Sequence, residues 1–580
     1  MILQSLADFS MREGLVQDSA FEYAGVSWAI EVGPDGSFWE LMPLRVEAGG
    51  KGKKLIPRQM LVPKRSKRTV QELEEFLVDK AEYVLGAGEA DPGRLERRRN
   101  LFAKAIGQAA AATQVPELRA VAQFLANDAA RLQCLAQLNA HGFASNDLFC
   151  FRVDDRFLHD IEAVRAYWKR KLIPGNATAE VSGTQCLICG KVGSFARLHP
   201  NVKGLAGAST SGVPVVSFNQ PAFWSYGWEN NKNAAVCEDC AAAYATALNR
   251  CLSSQFPDPA EPESKLTRQA YVLAKNLTAI YWSDDSSSGI ESLAEAAVSD
   301  PGRVQTILES PWKGAATAKP LRFHCLLLQG AQGRATVRSY SAELIPKVQQ
   351  NVRKWFEHTA ARTDRALSLP QILSALAVRR KYMKLPPDIS RELYLAVLFG
   401  LPIPRQLVQL AVRRNLAEAA VADGRAAIIQ AWLSRKLEQE GRNPIVKLDP
   451  NYDSVGYQLG RVLAVCEQIQ YRATDGGKVN KSLTDRFFPA LSTRPSFVFQ
   501  ALIKLTKSRL AQIRRRKDST YLERSLQEVV ANLGPDDLTG NLSLDEQARF
   551  ALGYYHERQA RFAKSETQPT APEENTADEV

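Results

Sequence analysis

The period of apolar and polar positions changes several times along the chain. Near the start, VSWAIEV and SFWELMPL are rich in β-formers and flank GPDG, which predicts a hairpin. Helical spacing dominates from about residue 69 to 172. Residues 173–255 lose that regularity and carry two close cysteine pairs. Between 256 and 345 the pattern is mixed again: LTAIYW reads as a strand, and FHCLLLQG and RATVRSY form a second hairpin around a Gly-containing turn. From about 346 to 440 the pattern is helical, with LPPD and LPIPRQ as breaks. Leu459, Val462, Leu463, Cys466 and Ile469 then recur on one helical face, and Ser543 with Glu546 has capping-box form ahead of a helix to about Phe562. No repeat of fixed period is present. The pattern predicts an α+β fold, with a mixed N-terminal region of β-hairpins, a four-cysteine insertion and a C-terminal α-helical bundle. The expected divisions are 1–172, 173–255, 256–345, 346–445, 446–564 and a disordered tail, 565–580. That tail, SETQPTAPEENTADEV, carries five acids and no base and cannot bury enough surface to order itself.

Charge narrows the class of partner. The 580 residues carry a formal net charge of +11, a surplus that favours a polyanion, most often nucleic acid. Part of it lies in GGKGKKLIPRQMLVPKRSKR, a cationic loop over 51–68 whose Lys51, Lys53, Lys54, Arg58, Lys64 and Arg65 are candidate phosphate ligands. It lacks the GxxxxGK spacing of a nucleotide-hydrolysing loop. A second concentration lies in PSFVFQALIKLTKSRLAQIRRRK. There Phe497, Ala501, Leu502, Leu505 and Ile513 predict an apolar side, and Lys504, Lys507 and Arg514 a phosphate-facing one. No secretory signal opens the chain, and no apolar run is long enough to span a bilayer, so the expected location is the cytoplasm.

The nine cysteines are unevenly placed. CLICG and CEDC set Cys186, Cys189, Cys237 and Cys240 as two Cys-x-x-Cys knuckles, the ligand set of one closed tetrahedral zinc site. A closed site has no open position for water and predicts a structural role. Between the knuckles lies VSFNQPAFWSYGWENNKN. Phe218, Phe223, Trp224, Tyr226 and Trp228 are mixed there with Asn219, Gln220, Asn231, Lys232 and Asn233. Aromatics can stack on or wedge between bases, and amides can bond base edges; a loop folded over a core is the plainer alternative. No catalytic constellation stands out. The six histidines are scattered, and His159-Asp160 lacks the further ligands that a metal phosphohydrolase needs. The residues thus predict a non-enzymatic nucleic-acid-binding protein with a zinc staple. A zinc-ribbon transcription or RNA-processing factor, or a metal nuclease at His159-Asp160, are the alternatives.

Longer stretches carry a resemblance. KKLIPRQMLVPKRSKRT, FLVDKAEYVLG, LHPNVKGLAGASTSGVPVVSFNQPAFWSYG, TAIYWSD, FHCLLLQGAQGRATVRSY, YQLGRVLAVCEQIQ and KSLTDRFFPALSTRP make the sequence similar to the large subunit of the type I-C CRISPR Cascade surveillance complex, the Csd-type CRISPR-associated family. The resemblance implies a non-catalytic subunit at the end of a crRNA-bearing filament, beside the subunit that holds the 5′ handle. Such a subunit recognises the protospacer-adjacent motif in duplex DNA, stabilises the R-loop and displaced strand, and docks a separate helicase-nuclease. It also implies small subunits translated from an internal start and matching the C-terminal bundle. The methionines stand at 1, 11, 42, 60 and 383, which points to a non-AUG start near Val446, Leu448 or Val455. One departure is local: after NAAV many relatives carry a Ser-Glu type continuation where this chain has Cys237 and Cys240, so the second knuckle belongs to a subset of the family.

Overall fold

The structure, a computed structural model, describes residues 2–15, 19–47, 55–65, 73–172, 185–192, 195–254, 256, 267–285, 289–309, 320–360, 366–474, 482–515, 519–534 and 536–566. The chain divides into two compact units. Met1–Ala270 with Thr278–Trp282 and Leu326–Tyr340 make the first; Tyr271–Leu277, Ser283–Cys325 and Ser341–Val580 make the second.

In the first unit the expected hairpin forms, Trp28–Val32 pairing antiparallel with Phe38–Pro43. Its inner strand also pairs in parallel with Leu148–Val153, and that strand in turn with Asp79–Lys80. Leu148–Val153 lies inside the stretch expected to be mainly helical. Its apolar run LFCFRV is too short to separate strand from helix by period; its burial on both faces is what a central strand requires. The helices Pro92–Thr113, Pro116–Ala126 and Asp128–His141 bury Phe102, Ile106, Leu118, Val121, Phe124 and Leu138 in one core with Trp28, Ile30, Phe149 and Phe151.

A second sheet corrects the reading of the basic loop. Leu55–Pro63 is a strand, paired antiparallel with Phe21–Val26 on one side and Arg45–Glu47 on the other. Met60 and Val62 point inward. Pro57 and Pro63, which argue against a strand in sequence, both sit within it. Arg58, Lys64 and Arg65 are therefore fixed on or beside a strand, whereas Lys51, Lys53 and Lys54 lie outside the described residues.

The strands Ala270–Ala274, Leu277–Ser283, Arg322–Ala331 and Arg334–Leu344 follow that order in a four-stranded sheet. The last two form the second expected hairpin.

From Ile345 onward the described elements of the second unit are helices. Ile345–Thr359, Leu369–Leu376, Pro387–Phe399, Arg405–Glu418 and Asp423–Gln439 precede the bundle; one starts on the second proline of LPPD and another just after LPIP. The bundle comprises Val455–Ala473, Leu483–Leu491, Pro495–Arg514, Thr520–Val530 and Leu544–Glu566. Its tightest crossing joins the first and last of these. A Cβ on Gly460 would overlap the Phe550 carbonyl, and one on Gly553 the Tyr457 carbonyl, so glycine lets the two backbones meet. Half of the expected capping box forms: Ser543 Oγ accepts from Glu546 N at 3.3 Å. The Glu546 carboxylate instead caps the neighbouring helix, accepting from Ser454 Oγ at 2.6 Å and Gly456 N at 2.7 Å.

The basic helix Pro495–Arg514 buries only part of the apolar side that the sequence suggests: Leu502 and Ile513 face inward and Leu505 is half-buried. Leu502, Thr506, Leu510 and Ile513 are buried, whereas Ala501 is exposed and Phe497 is 77 % exposed. The i, i+4 row through Leu502 meets the bundle, and Phe497 falls outside that row. No helix among the described residues is long and apolar enough to cross a membrane.

Candidate metal centre and nucleic-acid interface

The CLICG knuckle is a tight turn. Gly190 N donates to Cys186 O at 2.9 Å, and Gly190 has φ +73°, a conformation open to glycine. Cys186 N closes the turn on Lys191 O. The second knuckle is built on a helix end: Cys237 is the N-cap of Glu238–Leu252 and Cys240 lies in its first turn. Two backbone bonds hold the knuckles together, Leu187 N to Ala235 O at 2.8 Å and Ala196 N to Val236 O at 2.8 Å. The helix under them buries Tyr244, Leu248 and Cys251 in a core shared with Leu6 and Phe9.

The four sulfur atoms lie within 4.8 Å of one another, and Cys189 Sγ is 3.8 Å from Cys237 Sγ. Tetrahedral thiolates about 2.3 Å from a zinc ion would be about 3.8 Å apart. Burial alone would raise the Cys186 thiol, but amide N–H groups of Cys189, Cys237 and Ile188 aimed at its sulfur bring it down to about 7. Burial pushes Cys237 up to about 11 and Cys240 higher still, the neighbouring thiols adding to the rise at Cys240. Cys237 and Cys240 therefore resist shedding their protons alone, and a divalent cation would reverse that. The four cysteines could bind a metal; they are the only such cluster among the described residues.

Above this base the 216–233 stretch separates its residues by task. Trp228 N bonds Ser225 O at 2.9 Å, with Tyr226 at φ +55° and Gly227 at φ +72°, the positive-φ pair of a type I′ turn. Tyr226, 94 % exposed, stands at the tip, its ring 6.4 Å from that of Trp228, which is also exposed. Asn233 frames the turn: its Oδ1 accepts from Ser225 N at 2.8 Å, and its Nδ2 donates to Trp228 O and Asn230 O. Asn231 is buried and donates to Ala196 O at 3.0 Å. Trp224 is half-buried, its Nε1 donating to Phe218 O at 2.8 Å. Asn219, Gln220, Phe223 and Lys232 are exposed.

Of the phosphate candidates, Lys504 and Lys507 are exposed on one helix, whereas Arg514 makes a bidentate pair with Glu523 at 2.6 Å. The acid came from the next helix, which the run of bases in the sequence did not reveal. Arg65 pairs with Glu22 at 2.9 Å. Arg65 and Lys64 line a cleft of about 890 Å³ together with Arg197 and Lys203, two cations that the sequence reading did not single out. The place of Trp228 beside Tyr226 follows from the turn, which the Tyr-Gly pair signals only weakly in the sequence.

His159 is buried, and burial lowers its pKa to about 4. No metal-holding cluster among the described residues includes it.

No curated protein matches the chain. A family model described as CRISPR-associated protein (Cas_Csd1) matches residues 5–562. The match takes in the strands, the cysteine knuckles, the aromatic turn and the helical bundle, and the chain belongs to this CRISPR-associated Csd1 family.

Proposed function

We propose that the chain is the non-catalytic large subunit of a type I-C Cascade complex, and that the turn around Tyr226 reads and opens the protospacer-adjacent motif. The observation that carries this reading is the exposed aromatic pair, Tyr226 and Trp228, on a short turn framed by Asn233 and rooted beside the four cysteines. A non-glycine residue at positive φ is a local strain that persists where the surroundings impose it. An aromatic wedge unstacks a base step while neighbouring amides read base edges. Asn219, Gln220 and Lys232 are the proposed contacts, with Phe223 as a further stacking group; Asn231, Asn233 and Trp224 hold the loop's shape. Cys186, Cys189, Cys237 and Cys240 would hold one structural zinc that fixes the loop's two ends. Arg58, Lys64, Arg65, Lys504 and Lys507, with Lys51, Lys53 and Lys54, would neutralise backbone phosphates, and Arg514 would do so only after leaving Glu523. Base pairing by the guide reads most of the target, so the protein need read only a short motif.

The partners on this reading are crRNA-bearing backbone subunits, the 5′-handle-binding subunit, small subunits from an internal start, and a helicase-nuclease recruited once the R-loop forms. The test is binding of motif-bearing and motif-less duplex by the assembled complex, with and without Tyr226→Ala. The reading expects loss of duplex opening, followed by 2-aminopurine fluorescence beside the motif, with the complex still assembled. Unchanged opening would remove Tyr226 from the mechanism.

A further inference from the structure

The second unit carries a cleft of about 660 Å³ whose lining includes none of the loop residues or the cysteines. It forms where Leu369–Leu376 meets the N-terminus of Asp423–Gln439. Gly424 allows that approach: a Cβ there would lie 2.8 Å from Ala375 Cβ and 3.0 Å from Ile372 Cα. Four guanidinium groups line the cleft, those of Arg379, Arg380, Arg414 and Arg425, against the carboxylates of Glu418 and Asp423.

The guanidinium groups outnumber their acceptors. Arg425 is 3 % exposed. Its Nη2 donates to Glu418 Oε2 at 2.5 Å, while its Nε and Nη1 are buried without a hydrogen-bond partner among the described residues. Arg414 donates to the other Glu418 oxygen, and its Nε is buried and unpartnered in the same sense. One half-exposed carboxylate thus serves two guanidinium groups. Asp423 is engaged elsewhere, accepting from Tyr555 Oη at 3.0 Å. Burial lowers the pKa of Arg425, Glu418 opposes this, and Arg414 and Arg380 lower it further. The first turn of Asp423–Gln439 has no side-chain cap, so the positive end of that helix faces the same region. Arg379 and Arg380 both have positive φ, 54° and 57°, and are exposed at the rim.

We propose that this cleft binds a phosphate-type oxyanion, held by Arg425 and Arg414 within and by Arg379 and Arg380 at the rim. The planar fork of arginine matches a tetrahedral oxyanion in bidentate fashion, and a buried N–H without an acceptor is the group such a ligand would satisfy. The helix N-terminus adds backbone donors. The same chemistry is offered by a backbone phosphate of a nucleic acid and by a free phosphorylated small molecule. The inference does not depend on the reading of the Tyr226 turn.

The test uses the full chain and inorganic phosphate, followed by ³¹P line broadening and by the thermal midpoint against chloride at matched ionic strength. Saturable phosphate binding is expected, weakened about tenfold or more in the Arg379→Ala/Arg380→Ala double variant, which removes two strong charge-assisted contacts. These rim residues are exposed, so circular dichroism should show the fold retained even if Arg425→Met disrupts it. A single-stranded oligonucleotide then separates the sources. If the double variant also weakens oligonucleotide binding and lowers its salt slope by about one to two, the ligand is a backbone phosphate. If only phosphate binding weakens, the ligand is a free phosphate compound. No saturable phosphate binding by the unaltered chain, or equal binding by the double variant, overturns the proposal.

Discussion

Tyr457 Oη and His556 Nδ1 share a buried hydrogen bond of 3.0 Å although the two residues are 99 positions apart. The bond is one link in a buried chain. Asp449 N donates to Tyr457 Oη at 3.2 Å, His556 Nε2 donates to Gln430 Oε1 at 2.9 Å, and Gln430 Nε2 donates to His358 O at 2.8 Å. Because Gln430 Oε1 only accepts, His556 carries its proton on Nε2, leaving Nδ1 to accept from the tyrosine. Burial keeps this imidazole neutral and pushes its pKa down to about 3.

The sign of the resulting pH dependence is fixed. A histidine near 6.5 when unfolded and about 3 when folded takes up its proton first in the unfolded chain. Its stabilisation is complete above about pH 6.5 and is lost progressively as pH falls from there towards about 3. Urea unfolding at a series of pH values should show stability falling below pH 6.5, and His556→Gln should flatten that slope by up to about 1.4 kcal/mol per pH unit. His199, lowered to about 4 by burial, contributes with the same sign in the other unit. An unaltered slope in His556→Gln would mean that the imidazole is not held neutral.

Elemental analysis of chelator-free, reduced protein should find one zinc per chain. Cys189→Ser should lower the metal content and expose the 186–240 segment to protease, because the remaining thiols lack a fourth ligand. Metal well below one per chain in reduced protein would count against the site.

Asn219→Ala should weaken binding to motif-bearing duplex by roughly 1–3 kcal/mol more than to motif-less duplex, the worth of a base-edge contact. Lys64→Ala should weaken both alike and reduce the salt slope by about one. Equal losses on both DNAs for Asn219, Gln220, Phe223 and Tyr226 would make the loop structural only.

Gly460→Ala should destabilise the second unit by about 1–3 kcal/mol or more, since its methyl group meets the Phe550 carbonyl and lies 2.7 Å from Tyr554 N. Gly107→Ala is the control. That helix position is open, and alanine there should be neutral or stabilising by about 1 kcal/mol. Similar unfolding curves for both variants would contradict the tight crossing.

Intact-mass analysis of the purified complex should reveal a C-terminal product of roughly 125–135 residues that starts near 446–455. A product starting at Met383 would move the boundary, and no product would refute the internal start. The structure adds a condition. Such a product leaves behind Gln430, the partner of His556, and Asp423, the partner of Tyr555. It also loses Lys436, which pairs with Asp545 at 3.0 Å. The free bundle should therefore unfold at a lower temperature than the same helices within the full chain.

Sequence period located both hairpins and the helical second half because their apolar spacing is long and regular. It missed Leu148–Val153, a short run whose one charged residue is Arg152, and took Leu55–Pro63 for a loop because two prolines and many cations hide its alternation. The four cysteines were legible from spacing alone. The division of labour among the asparagines was not. Asn219 and Asn233 look alike in the chain, and only the turn at Ser225–Trp228 decides that one faces solvent while the other closes the loop. Arg514 was legible as a charge but not as a charge already paired, since Glu523 arrives from the next helix.

The glycine crossing also bears on the order in which the bundle folds. Val455–Ala473 can coil as soon as it exists, but the surface made by Gly456 and Gly460 accepts only the Leu544–Glu566 backbone, some ninety positions later. Closing so long a loop has to precede the reward of the contact, which makes this a slow, late step. Until then the face of the first helix that carries Gly456 and Gly460 lacks its partner, and a nascent chain halted before residue 544 would leave that face open to association with other chains.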